Sequence, residues 1–567
     1  MAVLSQFNYI FVITTIFAFL DAWNIGANDV ANSFATSVSS RSLTLKQAVF
    51  LASICELGGS IAAGSGVADT MRIRIVDRHH FDASPSVLLL AMMCTVVSSS
   101  LFLTVATRRG LPVSTTHAVV GGFVGTAAAS IGIGNVNWGW GGFGRILVTW
   151  AIAPWIAGCL GASLFLFTKT TVLTKPKAPR RAFYSIPFYT FVTVGSVSLL
   201  VAWKGLHVFE LSTARILIAV LASATGGALL QIVFVMPYLW VRGVRDDWRL
   251  KWYHVFQGPW LLTRDMPPPA PQGLSRPQMK DFYEGYLSRE EFQCLRASET
   301  LLRSVQTPSL SWSPTFESDT EMVLPPPAVK ETNSRSDDGL VPPRPPGPGN
   351  SFRVLAWRVN RFLLRGVEKD IVNMQRRNEV LKWDIADMHS RAARFDNRAE
   401  YMYSSLQILT AAATSFAHGA NDVSNAVAPF TTAYEVWSTG TIPDRVSIPI
   451  WVLCFGGAGI VLGLATFGYH VMRTMGNRLT LISPSRGFCM ELASAITVLT
   501  ATKLQMPIST TQCITGATIG VGLVNGDWRC INVRLAGWIY LGWVLTVPVT
   551  ALISGCLMGF LLNAPKW

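Results

Sequence analysis

Twelve apolar runs of 18 to 32 residues constrain this chain more than any motif in it. A helix rises about 1.5 Å per residue, so about 20 residues cross a hydrocarbon core of about 30 Å. Seven runs, at 5–36, 45–67, 86–108, 112–133, 143–170, 182–203 and 213–240, precede a long polar insert. Five follow it, at 404–435, 448–472, 487–504, 508–525 and 535–562. Within hydrocarbon each segment must satisfy its own backbone groups, which helices of this length do. The expected fold class is therefore an all-α integral membrane protein of about 12 transmembrane helices. Composition agrees, with 50% of residues hydrophobic, 14% charged and a mean hydropathy of +0.36, outside the range of ordinary soluble domains. The first run has no basic start and no small-residue cleavage site, so it reads as a retained span, not a leader. The runs that follow Pro112 and Pro507 are short and rich in Gly and Thr, and are expected as half-helices or re-entrant hairpins.

The net charge of +14 would suit a nucleic-acid partner, but much of the basic excess lies beside apolar runs and in the insert. Positive-inside topology accounts for it, and no nucleic acid is expected. With the amino terminus outside, the inward short loops hold fourteen Lys and Arg against nine on the other face. That count places both termini outside and the insert in the cytoplasm. Nine cysteines show neither CxxC spacing nor a secreted disulfide pattern, and most lie in apolar runs as small hydrophobes.

The resulting division is a membrane unit over 1–170, two linking helices over 171–240, an insert over 241–400 and a second membrane unit over 401–567. The insert contains "PPPAPQ", "VLPPPA" and "VPPRPPGPGNS", a composition that cannot bury a core and is expected to be largely disordered. Near 351–371, Val354, Trp357 and aliphatic residues alternate with Arg353, Arg358, Arg361 and Arg365. This is a basic amphipathic helix, suited to the inner membrane surface or to the protein's own cytoplasmic face.

One polar motif occurs twice. "GANDVAN" at 26–32 returns as "GANDVSN" at 419–425, and "PVSTTHAVVGGFVG" at 112–125 returns as "PISTTQCITGATIG" at 507–520. The offsets of 393 and 395 residues nearly agree, so the two halves are one unit used twice. Seven spans separate the two starts, and an odd number turns the second copy over in the bilayer. Inverted-topology repeats of this kind bring equivalent, broken or re-entrant segments to the bilayer midplane, where alternating access operates.

In each GAND copy the glycine is expected to free the backbone from helical geometry, while Asn and Asp offer hard oxygens. Sodium suits such ligands, which makes Asp29, Asn28, Asn32, Asp422, Asn421 and Asn425 candidate cation-binding residues. The plainer alternative is an Asx cap on a broken helix. In each PxSTT copy, proline opens a helix whose first-turn amides and positive dipole end suit an anion. Ser114, Thr115, Thr116, Ser509, Thr510 and Thr511 are the candidates, against the alternative that their hydroxyls only cap their own helices. Glu56 and Glu491 lie inside apolar runs and are candidate cation ligands or proton carriers, or else helix-to-helix hydrogen-bond donors. His117 stands opposite Gln512 in the repeat, so a hydrogen-bonding role is expected of it and not a proton relay. Gly121 with Gly125, and Gly516 with Gly520, should permit close helix contact. No GxxxxGK[ST], HExxH or GxSxG sequence is present, so an enzyme is not expected.

These motifs, with "FLDAWNIGANDVANSFATSVSSRS", "LPVSTTHAVVGG", "SFAHGANDVSNA", "SPSRGF" and "LNAPKW", resemble the inorganic phosphate transporter family of sodium-coupled symporters, its fungal plasma-membrane branch in particular. The resemblance covers both membrane halves and not the insert. It implies sodium-driven uptake of inorganic phosphate at the plasma membrane by a twelve-span inverted-repeat fold that forms homodimers, with no cofactor and no metal beyond sodium. It further implies that Asp29 and Asp422 with their asparagines serve sodium and phosphate, that the PxSTT residues hold phosphate, and that Glu56 and Glu491 are essential acids. Many animal members carry one more glutamate in the first repeat, where this chain has Met92 near the expected place. A proton-driven symporter and a phosphate sensor with a signalling insert are the rival functions.

Overall fold

The apolar runs are helices, and no strand forms among the described residues. The computed structural model describes residues 3–64, 78–205, 212–267, 281–305, 341–346, 348–376, 382–442 and 448–564. Among the described residues, eight helices are long and apolar enough to cross a membrane: Ser5–Val30, Leu45–Ala63, Pro85–Arg108, Phe143–Leu173, Ala178–Trp203, Thr213–Gly243, Ile450–Phe467 and Val533–Asn563. The protein is a multi-pass membrane protein. The other four runs are also helical but differ in kind. Asn397–Thr439 is 43 residues long and carries the second polar motif in its middle, while Pro484–Lys503 carries Arg486 and Glu491. Thr115–Ser130 and Thr510–Leu523 have only 16 and 14 residues. Their lengths, about 24 and 21 Å, fall short of a full crossing of about 30 Å.

Local sequence sets the ends. Thr44 Oγ1 accepts from Gln47 N at 3.3 Å while Gln47 Oε1 accepts from Thr44 N at 3.0 Å, a reciprocal cap that starts Leu45–Ala63. Pro85 and Pro484 open their helices at a position where no amide is needed. Gly440, at φ +70°, terminates the 43-residue helix in the left-handed region.

The motif glycines do not break their helices, contrary to the sequence expectation. Gly26–Val30 is a single π turn between Asn8–Ile25 and Ala31–Ser39, and Gly419 lies in uninterrupted α-helix. Their purpose is close approach. A Cβ on Gly26 would stand 1.7 Å from Ile460 O, and one on Gly419 would stand 2.3 Å from Glu56 O. No side chain fits at either place, so two backbones touch there. The helical breaks fall instead before Thr115 and Thr510. Each of the two short helices then packs along a long helix of the other half. A Cβ on Gly125 would lie 2.0 Å from Ala551 O, and one on Gly516 would lie 2.2 Å from Pro154 O.

Parts of the insert dock on the membrane portion. Tyr283 Oη donates to Glu400 Oε1 at 2.9 Å, and Glu400 Oε2 accepts from Ser485 N at 2.8 Å. Asn477 Nδ2 donates to Tyr286 Oη at 2.7 Å, and Tyr286 packs edge-on against His389. Arg486, fully buried, donates to Asn525 Oδ1 at 2.7 and 3.0 Å, to Ser483 Oγ at 2.7 Å and to Ala393 O. Proline-rich composition hid these anchors, which rest on a few aromatic and charged side chains and a small apolar cluster of Tyr283, Ala392, Leu481 and Cys530. Helix Phe352–Leu363 meets Phe467 through Phe362 at its far end, while Phe352 and Leu355 near its start stay exposed.

Candidate functional site

Both PxSTT segments are extended up to the serine, which then caps the helix that follows. Ser114 Oγ accepts from His117 N, and Ser509 Oγ accepts from Gln512 N, each at 3.3 Å. The two serine hydroxyls are thus engaged by their own helices, and the candidates for an anion are the threonines and first-turn amides beyond them. Asn28 braces the bend before the first of these helices. Its Oδ1 accepts from Val113 N at 3.1 Å, and its Nδ2 donates to Leu111 O at 3.0 Å and to Thr107 Oγ1 at 3.2 Å. Asn421 does similar work in the second half, donating to Ile508 O at 3.2 Å with Thr502 Oγ1 at 3.4 Å from its Oδ1.

The threonines converge on the aspartates. Thr115 Oγ1 donates to Asp29 Oδ2, and Thr510 Oγ1 donates to Asp422 Oδ2, both at 2.5 Å. A further bond crosses between the halves: Thr511 Oγ1 donates to Asp29 Oδ1 at 2.6 Å. One carboxylate is therefore touched by the first turns of both short helices, and their positive ends meet within the span of a single side chain. Asn425 Nδ2 bridges further, reaching Thr115 Oγ1 at 3.0 Å and Thr116 Oγ1 at 3.2 Å, while Thr116 Oγ1 donates to Ile508 O at 3.2 Å. All of these side chains are buried.

Glu56 joins the cluster through a residue that the sequence reading passed over. His418 Nδ1 lies 2.7 Å from Glu56 Oε2, and its Nε2 lies 3.0 Å from Asp422 Oδ2. Ser415 Oγ donates to Glu56 Oε1 at 2.7 Å. Ligand atoms of Asp29, His418 and Asp422 all stand within 4.8 Å of one another. Two carboxylates thus flank one imidazole at a buried position with a third close by, and with all three ionised the group is net negative even when the ring is protonated. An arrangement of hard oxygens with excess negative charge holds cations and repels an anion until it is loaded.

His418 was hidden by the repeat. The backbone contacts at the glycines are equivalent in the two halves. Gly26 meets Ile460 and Gly463 meets Trp23, as Gly419 meets Glu56 and Gly59 meets Phe416. By that equivalence Ile25 and Ile460 occupy in one half the places of His418 and Glu56 in the other. Glu56 was visible as an acid inside an apolar run, but His418, unmatched in the other copy, was not.

Glu491 stands apart from the cluster. Its Oε1 accepts from Thr36 and Ser37 at 2.6 Å and from Gln407 at 3.3 Å, and its Oε2 accepts from Thr410 at 2.7 Å. It ties Ala31–Ser39 to the long helix. Thr107 and Thr502 each contact the motif asparagine of their own half, Asn28 and Asn421, which sets Val96, not Met92, opposite Glu491. His117 Nδ1 lies 3.4 Å from Trp543 O and its ring stacks obliquely on Trp150, a hydrogen-bonding and packing role. The side chain of Asn32 lies outside the described residues.

The family model described as "Phosphate transporter family" matches residues 25–554. A phosphate-repressible phosphate permease of Neurospora crassa is 45% identical over 100% of this chain and 99% of its own length. Sodium-dependent phosphate transporter 2 of Xenopus tropicalis is 28% identical, covering 93% of this chain and 94% of its own. A solved structure titled "The sodium-dependent phosphate transporter" superposes with a TM-score of 0.60 at 26% identity, covering 98% of this chain and 100% of that one.

Proposed function

The chain belongs to the phosphate transporter family, a transport and not a catalytic role, and on that premise we propose that it imports inorganic phosphate across the plasma membrane by symport with sodium. The reading extends to about twelve spans in two inverted repeats, an outward amino terminus, a cytoplasmic insert and a homodimer. It assigns sodium to Asp29 and Asp422 with Asn425 and Glu56, and phosphate to Thr115, Thr116, Thr510 and Thr511. One observation carries it: Asp29 accepts hydrogen bonds from the first turns of both short helices, beside Asp422 and His418. Sodium entering from outside offsets the carboxylates, and the loaded cluster with two helix ends then accepts the anion. Neither ion enters cheaply without the other, and this mutual requirement couples their movements.

A second reading, proton coupling, is favoured by the continuous Glu56–His418–Asp422 chain. Radiolabelled phosphate uptake by purified protein in lipid vesicles separates the two, with sodium, potassium and pH gradients imposed independently. Uptake that follows an inward sodium gradient at fixed pH is expected. Uptake that ignores sodium and follows the pH gradient overturns sodium coupling, and no phosphate uptake under any gradient overturns the transport reading.

A further inference from the structure

Another buried acid lies on the first helix about two turns before Asp29. Asp21 is fully buried in Asn8–Ile25, and Asn24 follows it on the same helical face. Ser100 holds the two together. Its Oγ donates to Phe17 O at 2.9 Å and reaches Asp21 Oδ1 only at 3.5 Å, while its carbonyl accepts from Asn24 Nδ2 at 3.2 Å. Asn24 Nδ2 also donates to Thr104 Oγ1 at 3.0 Å, so the orientation of the amide is set by its neighbours. Asp21 Oδ2, Asn24 Oδ1 and Ser99 Oγ are left buried with no hydrogen-bond partner. Ser99 lies against the Asp21 carboxylate.

Glu491 illustrates a satisfied buried carboxylate in this protein, with four side-chain donors around it. Asp21 has the opposite surroundings: an orphaned carboxylate oxygen, an orphaned amide oxygen and hydroxyl oxygens with lone pairs to offer. Unmade hydrogen bonds at such depth are costly, and a cation satisfies several acceptors at once. We propose that Asp21, Asn24, Ser99 and Ser100 form a second buried site for sodium, separate from the cluster of Asp29, His418 and Asp422. The single carboxylate balances one positive charge, whereas a divalent ion would leave an excess charge in a low-dielectric interior. Asp29 is close enough for the two carboxylates to act on each other, so a cation here relieves their repulsion and favours entry of the anion. Thr414 and Ala417 stand at the corresponding positions of the second half, so the site belongs to one half only. Its role as a coupling ion rests on the symport reading.

The test counts ions on purified full-length protein. Equilibrium binding of radiolabelled sodium without phosphate is compared between wild type and Asp21→Asn, which preserves volume and imitates a neutral Asp21. The count should fall by about one ion per chain, and in vesicles the sodium concentration for half-maximal uptake should rise ~10-fold. An unchanged count and affinity overturns the site, because Asp21 is then a neutral group that needs no ion. If Asp21→Asn does not fold, Ser99→Ala decides: weaker sodium binding supports the site and wild-type binding refutes it. A lower count in a protein that moves no phosphate sinks the symport reading and leaves the site. Sodium-driven uptake with an unchanged count does the reverse.

Discussion

Replacing Asp29 or Asp422 by Asn removes one negative charge and little else. Asparagine has the same shape, and its amide still engages the threonine hydroxyls that now donate to the carboxylate at 2.5 and 2.6 Å. The size of the effect follows from the cluster's geometry. Ligand atoms of Asp29, His418 and Asp422 lie within 4.8 Å of one another. A bound cation among them lies no farther than about that distance from each carboxylate, so using it gives a lower bound on the interaction. At an effective dielectric of about 20, one unit charge over such a gap contributes about 3.5 kcal/mol. Each 1.4 kcal/mol is tenfold, so the sodium requirement should rise roughly 300-fold. Uptake then vanishes at ordinary sodium concentrations while the amount of protein at the surface holds. Sodium titrations of phosphate uptake in vesicles, normalised to reconstituted protein, measure the shift. A change of less than about tenfold in both variants refutes the proposal that these carboxylates bind the coupling ion.

Three further outcomes rest on packing. Glu56→Ile alone or His418→Ile alone strands a buried polar partner and should cost about 3–5 kcal/mol, whereas the double variant should recover most of it because Ile460 with Ile25 already fills the equivalent place; melting curves of the three decide. Gly419→Ala puts a methyl 2.3 Å from Glu56 O and should lower stability by about 1–3 kcal/mol, while Gly58→Ala, with its nearest neighbour at 3.8 Å, should be neutral or stabilising in the same thermal assay. Arg486→Lys keeps the charge but loses the planar fork that reaches Asn525, Ser483 and Ala393, so its melting temperature should fall measurably below wild type.

The sequence made legible what the two halves share and the acids that stand inside apolar runs. Asp29 with Asp422, and Thr115 with Thr510, occur in both copies, and the structure joins each aspartate to its own threonine by the same bond. Of the unshared residues, Glu56 and Glu491 stood out as acids inside apolar runs, whereas His418, which aligns with Ile25, did not. The glycines were legible as residues but not in purpose, because a glycine that lets backbones touch and one that unwinds a helix look alike until the neighbouring carbonyl is placed. The docking of Tyr283 and Tyr286 was masked by the proline-rich composition around them, since composition averages away single anchoring side chains.

The shared layer and the unshared layer have different consequences for loading. Asp29 is contacted by hydroxyls from both halves, whereas Asp422 also has an imidazole nitrogen 3.0 Å away. The imidazole held between Glu56 and Asp422, when protonated, offsets part of the charge on Asp422, and no such group is bonded to Asp29. An entering cation therefore gains more at Asp29, which should fill first and set the steepness of the sodium response. Asp29→Asn should accordingly raise the half-saturating sodium concentration further than Asp422→Asn does. Removing the ring with His418→Gln should narrow the gap between the two by exposing the full charge of Asp422. Equal shifts in the two single variants, unaltered in the His418→Gln background, would mean that the imidazole does not share its charge with Asp422 and that the order of loading is set elsewhere.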